Sequence, residues 1–197
     1  MLTREEQRLL LKTARSAIES KIFHDPARVR HGFSSVEELY RHHPVLSELN
    51  GVFVTLKRKD AAFPAGALRG CIGTIIGREP LYDGVRRLAV ESAFFDPRFN
   101  AVKKEELTKI SIEISVLTIP KKIDTYHDIV IGRDGILLSC DGNSAVFLPQ
   151  VATEQSWDLE TTLTHLAIKA GLDVDSWLDD QCEFEVFQAE VFHEDKS

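Results

Sequence analysis

An α+β fold built mainly on antiparallel sheet, flanked by helices, is predicted by three features of this sequence. Stretches with helical spacing and stretches that alternate apolar and polar residues both occur. Their order is helix, strands, helix, strands, helix, strand, without the regular βαβ alternation of a parallel sheet. The short apolar runs are punctuated by Gly, Asp and Asn in the manner of hairpins, as at Asp134-Gly135 and Asp141-Gly142-Asn143.

Thr3-Arg4-Glu5-Glu6 has capping-box form and opens a helix on which Leu9, Leu10, Ala14, Ala17, Ile18 and Ile22 recur at helical spacing. A polar loop with Asp25-Pro26 and His31-Gly32 follows, then a short helix around Ser35 to Tyr40 before Pro44. Val52 to Leu56 is a strand by its β-branched and aromatic content. Lys57 to Ala67, with Pro64-Ala65-Gly66, has loop composition, and the chain returns through Leu68 to Thr74 as the antiparallel partner of the strand at Val52. Leu81, Val85, Leu88, Ala89, Ser92 and Ala93 share one face of a helix that ends before Asp96-Pro97, because proline disfavours helical backbone in its predecessor. Ile110, Ile112, Ile114 and Val116 alternate with Ser111, Glu113 and Ser115, a half-buried strand. Val130-Ile131, Gly135 to Ser139 and Val146 to Leu148 read as short strands, with Gly132 to Gly135 as a hairpin turn. Gln150 follows Pro149 at a strand end. Leu159 to Ala170 is a helix with Gly171 where a C′ glycine belongs, and Glu183 to Phe192 is a final strand.

With 197 residues the chain is long enough for one globular domain with a sizeable core. No apolar run approaches the roughly 18 to 20 residues that span a bilayer, and Met1 to Lys21 lacks the apolar centre of a secretory signal, so the expectation is a cytoplasmic protein without membrane attachment. The net charge of −7 argues against a general grip on nucleic acid, which needs clustered Lys and Arg. Cys71, Cys140 and Cys182 are far apart and form no Cys-x-x-Cys, and an odd, sparse count fits free thiols in a reducing compartment. His42-His43, His24, His31 and His165 show no metal-ligand spacing, so no metal site is assigned.

The densest chemistry lies in Leu68-Arg69-Gly70-Cys71-Ile72-Gly73-Thr74. Cys71 is a candidate nucleophile or redox thiol, set against the reading of a small buried apolar residue. Gly70 and Gly73 mark close approach of another group to the strand. Strand alternation puts Arg69, Cys71 and Gly73 on one face and Gly70, Ile72 and Thr74 on the other. Arg69 and Arg98 are candidates for holding a carboxylate or phosphate, against the alternative of internal salt bridges. Asp96 and Glu91 are candidate proton carriers for a Cys71 nucleophile, Thr74 a ligand contact, and Gln150 a side-chain amide placed to read a ligand or cap a turn. Trp157 reads as a packing anchor.

Phe53-Val54-Thr55-Leu56 and the Leu68 to Thr74 segment resemble the signature of the AMMECR-type domain family, whose bacterial and archaeal members are called AmmeMemoRadiSam system protein A. Asp96-Pro97-Arg98-Phe99, Ile114 to Leu117, Gly132 to Ile136, Phe147 to Ala152, Trp157-Asp158 and Lys169 to Leu172 continue the match in family order, so that residues 1–197 are identified as one such domain. The resemblance implies a large and a smaller lobe, with a cleft near Arg69-Gly70-Cys71. It also implies association with a MEMO-like metalloprotein and a radical-SAM protein, and it supplies no reaction or cofactor. A family cysteine is expected in the helix before Lys169, where Thr164-His165-Leu166-Ala167 stands, so a second thiol there is not essential in this chain. Two functions follow as expectations. One is an enzyme or ligand-binding protein that takes a small anionic metabolite around Leu68 to Thr74. The other is a sensing or scaffolding partner of the two implied proteins.

Overall fold

A computed structural model describes residues 1–28, 33–60 and 67–194. The loops expected at His31-Gly32 and Pro64-Ala65-Gly66 lie outside these residues. The chain divides into two compact units, residues 1–116 with 190–197, and Leu117–Ala189. Both are α+β, and each holds a four-stranded antiparallel sheet.

The first unit begins with α1 (Arg4–Phe23), capped by Thr3 and Glu6 in a reciprocal capping box that satisfies two otherwise orphaned donors. α2 (Val36–His42) is capped by Ser35. The sheet has the order β2 (Leu68–Thr74), β1 (Val52–Arg58), β3 (Ile110–Leu117), β8 (Ala189–His193). Alternation sends Val54, Leu56, Ile110, Ile112 and Ile114 to one face, where they form a core with Leu10, Ala14 and Ile18 of α1 and Val85, Leu88 and Ala89 of α3 (Leu81–Phe94). β1 runs on to Arg58, beyond the apolar segment that marks it in the sequence.

Gly70 is required by this packing. A Cβ there would stand 2.1 Å from the Ser92 carbonyl oxygen of α3, so only hydrogen lets the helix approach the strand. The fully buried Ser92 hydroxyl also accepts the Ile72 N–H at 2.9 Å and donates to the Val54 carbonyl at 2.7 Å, tying α3 to both strands.

In the second unit the sheet order is β4 (Lys121–Ile123), β7 (Glu183–Phe187), β5 (Gly135–Cys140), β6 (Asn143–Phe147). Ile136, Leu138 and Phe184 from the sheet pack with Leu163, Leu166 and Ala167 of α5 (Leu159–Ala170) and with Trp177. Asp158 caps the start of α5, and Gly171 ends it at φ +79°, the left-handed position expected of a C′ glycine.

Four expectations for this unit and its exit require correction. Val130-Ile131 is not a strand: the Val130 carbonyl accepts N–H bonds from Arg133 and Asp134, and its N–H goes to the Asp134 carboxylate. Gly132 to Gly135 is therefore a turn leading into β5 and not a hairpin between strands. Pro149 and Gln150 open α4 (Pro149–Gln155), proline being well suited to the first turn of a helix. The segment Glu183 to Phe192 is two strands, broken at Gln188, that serve different sheets.

The cysteine expectation is also corrected: Cys140 and Cys182 are joined by a disulfide, and Cys71 alone is free. Their separation of 42 residues hides the pairing in the sequence. The register Ser139↔Glu183 between β5 and β7 brings the next residues outward, Cys140 and Cys182, opposite each other with a Cα–Cα distance of 4.4 Å.

No described helix is long and apolar enough to cross a membrane.

Candidate functional site

The face of the first unit's sheet opposite its core carries the polar partners of the alternation. Directly paired residues of an antiparallel sheet share a face. The registers Cys71↔Thr55 and Thr55↔Glu113 therefore set Cys71, Thr55 and Glu113 side by side across β2, β1 and β3. The neighbouring row is Gly73, Phe53 and Ser115. A Cβ on Gly73 would stand 2.2 Å from the Phe53 ring, so the phenyl group lies directly on the glycine.

Thr55 donates its hydroxyl to the Cys71 sulfur at 3.2 Å. Lys57 pairs with Glu113 at 2.8 Å from the third row of the same face. At the outer edge of β2, Asp96 accepts the Cys71 N–H at 2.8 Å, while Arg98 donates to the Cys71 carbonyl at 3.1 Å. Arg98 also forks onto Asp96 with bonds of 2.9 and 2.7 Å. The two side chains thus take both outward-facing backbone groups of one residue of the edge strand and replace the partner strand that an edge lacks.

Electrostatics divide this set. Chiefly through the Arg98 guanidinium, the buried Asp96 carboxyl is held down at about 2. Burial pushes the Cys71 thiol up, above the usual cysteine range, and the carboxylates of Asp96 and Glu113 add to the rise. The bond from Thr55 and the charge of Arg98 act the other way without reversing it. The balance favours the thiol form of Cys71 over the thiolate.

Arg69 sits at an irregularity of β2, where Leu56↔Gly70 is followed by Lys57↔Leu68, so the strict face alternation expected through Arg69 is broken. Its guanidinium binds Glu106 through Nε at 2.8 Å and Nη2 at 3.1 Å, and the Asn100 carbonyl at 2.9 Å, leaving Nη1 buried without a partner. Phe99 lies within 5.9 Å of the Arg69 guanidinium and 5.6 Å of the Arg98 guanidinium. Each arginine that the sequence offers as an anion clamp thus already holds a carboxylate. They differ in access, since the Arg69 side chain is 11% exposed and that of Arg98 55%.

The remaining candidates are dispersed. Thr74 lies opposite the core residue Val52 and so on the helix-covered face. Glu91 pairs with Arg87 at 2.8 Å on α3 and is not joined to the Cys71 set. Gln150 belongs to the second unit, where its Oε1 is buried without a hydrogen-bond partner. Trp157 stacks on His165 with ring centroids 4.0 Å apart. Among the described residues, no group of three or more His, Cys, Asp or Glu side chains is placed to hold a metal ion.

Thr55, Lys57 and Glu113 escape a reading based on motif density. Thr55 reads as β-branched strand filler, and Glu113 as the solvated side of an alternating strand. The signal that finds them is the alternation itself, once β1 is known to sit between β2 and β3.

A family model described as AMMECR1 matches residues 11–192. A protein of Methanothermobacter thermautotrophicus is 38% identical over 200 residues, covering 98% of this chain and 97% of the relative. Protein MK0488 of Methanopyrus kandleri is 38% identical and is matched over 99% of this chain and 91% of its own. The crystal structure of protein PH0010 from Pyrococcus horikoshii superposes with a TM-score of 0.82 at 38% identity, covering 94% of this chain and 90% of that one. Agreement in sequence and fold over nearly the full length has one consequence: the chain belongs to the AMMECR1 family.

Proposed function

We propose that the polar sheet face around Cys71 binds a small anionic metabolite, with the neutral Cys71 thiol and the exposed edge of Arg98 as its contacts. The observation that carries this reading is the bond from Thr55 to the Cys71 sulfur beside the Arg98–Asp96 fork. Because Thr55 donates to sulfur, the thiol proton is left to point elsewhere, and a protonated thiol is a donor. Arg98 spends Nε and Nη2 on Asp96 and Cys71, and its half-exposed side chain keeps further donor capacity.

Lys57 with Glu113 and Arg98 with Asp96 leave the row near neutrality, which suits a ligand of low charge. An arriving anion reinforces the protonated state of the thiol, because a nearby like charge disfavours thiolate. Ligand binding is therefore the leading role. A nucleophilic or redox use of Cys71 would require a base at the thiol, whereas Glu113, the carboxylate of the same row, stands two strands away and is paired with Lys57.

The test is protection of Cys71 from iodoacetamide. Disulfide-bonded Cys140 and Cys182 do not alkylate, so the label reports Cys71 alone. A panel of carboxylate and phosphate metabolites is expected to contain a compound that slows labelling saturably, and at least tenfold more weakly in Arg98→Gln. Protection by no member, or equal protection in Arg98→Gln, overturns the proposal.

A further inference from the structure

Along α1, Arg4, Arg8 and Lys12 recur every four residues, all exposed, and none makes an ion pair among the described residues. An ordinary solvated helix face interleaves opposite charges at this spacing, because like charges one turn apart repel. Here one sign is concentrated in a chain whose net charge is −7. The three cations line a groove of about 530 Å³ between α1 and β8, floored in part by Leu11 and Phe192.

The groove is fixed at both ends. Gln7 donates to Glu190 at 2.9 Å, and the Leu2 N–H bonds the same carboxylate at 3.0 Å. Further along, Arg15 forks onto Glu194 and donates to the carbonyls of Leu107 and Ile110. Arg15 neutralises Glu194, while Glu190 accepts only from neutral donors and keeps its charge; against that one carboxylate stand the three unpaired cations of α1, so the net charge along the groove is positive. β8 is the edge of its sheet, and no described strand lies on its outer side. An unpaired strand edge is a template for another extended segment.

We propose that the α1–β8 groove is a docking site for an extended acidic peptide, which adds to the free edge of β8 and lays its carboxylates on Arg4, Arg8 and Lys12. The spacings agree. Four helical residues rise about 6 Å, and two strand residues about 6.6 to 6.8 Å, so alternate side chains of an added strand keep step with the helix cations. Main-chain bonds would hold the peptide and the cations would select it. This surface is distinct from the Cys71 face and does not depend on the function proposed there.

The experiment measures fluorescence anisotropy of three labelled probes with the full chain: the peptide (Glu-Val)4, the peptide (Glu-Pro)4, and the oligonucleotide dT8. The proposal expects saturable binding of (Glu-Val)4, at least tenfold weaker binding of (Glu-Pro)4, whose prolines cannot donate to the edge, and weaker binding of dT8. Arg8→Glu combined with Lys12→Glu, both at exposed positions, is expected to abolish peptide binding while circular dichroism stays unchanged. Should the variant lose its fold, Arg8→Gln with Lys12→Gln replaces it, with at least a fivefold loss expected. Equal binding of the two peptides, tighter binding of dT8, failure of (Glu-Val)4 to bind, or binding that survives the substitutions overturns the proposal.

Discussion

Asp96 and Arg98 are bonded to each other and to opposite ends of the same residue: Asp96 takes the N–H of Cys71 at 2.8 Å, and Arg98 donates to its carbonyl at 3.1 Å. The thiol therefore sits on a backbone that is fixed at an edge strand, where fraying would otherwise be expected.

This clasp makes part of the stability dependent on acid. The native Asp96 carboxyl titrates at about 2, below its ordinary value of 3.8. Its contribution is complete above the unfolded value and is lost as pH falls through the native one. Allowing for the solvent-exposed Arg98, the contribution is about 1–2 kcal/mol. In urea denaturation, Asp96→Asn is expected to be less stable than the parent at pH 7, with the difference shrinking below about pH 4 and closing near pH 2. A difference independent of pH would contradict the assignment.

The neutral thiol has a kinetic signature. Iodoacetamide should label Cys71 with a pH midpoint above that of an ordinary cysteine, and Thr55→Val should raise the midpoint further, because the hydroxyl bond favours the thiolate. A midpoint near or below neutrality would show that the sulfur is activated.

The two glycines of the signature strand should respond differently to alanine. Gly70→Ala drives a methyl into the Ser92 carbonyl on the backbone of α3, and a loss of about 1–3 kcal/mol or more is expected. Gly73→Ala meets a side chain first, the Phe53 ring with its Cγ at 2.2 Å, which unlike a helix backbone can be removed, so its cost should fall in the double variant with Phe53→Ala whereas that of Gly70→Ala has no such remedy. Thermal denaturation of these variants decides this, and a Gly73→Ala cost undiminished in the Phe53→Ala background would count against it.

The disulfide closes a loop of 42 residues in the second unit. The chain-entropy relation gives about 4 kcal/mol for a loop of this size. Reductant is therefore expected to lower the unfolding temperature, and Cys140→Ser with Cys182→Ser to reproduce that lower value and make it insensitive to reductant. A parent transition unmoved by reductant would argue against the bond.

Much of this architecture was legible because local rules and packing agreed. Thr3 and Glu6 announce α1, Gly171 ends α5, and the alternation from Ile110 to Val116 yields β3 with its core face correct. Legibility failed where the deciding contact is distant. Nothing local distinguishes Gln188 as the point where one apolar segment passes from one sheet to another, and Cys140 meets Cys182 only through the β5–β7 register. The site divides in the same way. Cys71, Asp96 and Arg98 stand in recognisable motifs, whereas Thr55 and Glu113 reach Cys71 through strand order. Arg69 and Arg98 look alike in sequence, and each holds a carboxylate in the fold; access separates them, the Arg69 side chain being 11% exposed and that of Arg98 55%.

The break at Gln188 has a consequence for the growing chain. Residues 117–189 are inserted between β3 and β8, which are neighbours in the first sheet. As the chain leaves the ribosome, β1, β2 and β3 can pair early, but β3 keeps one margin open until the whole insertion has been synthesised. The nascent first unit therefore carries a ready surface for misassociation during that interval. The exposure ends only when β8 has emerged and paired with β3, so the time taken to make and fold the insertion sets how long that margin stays open.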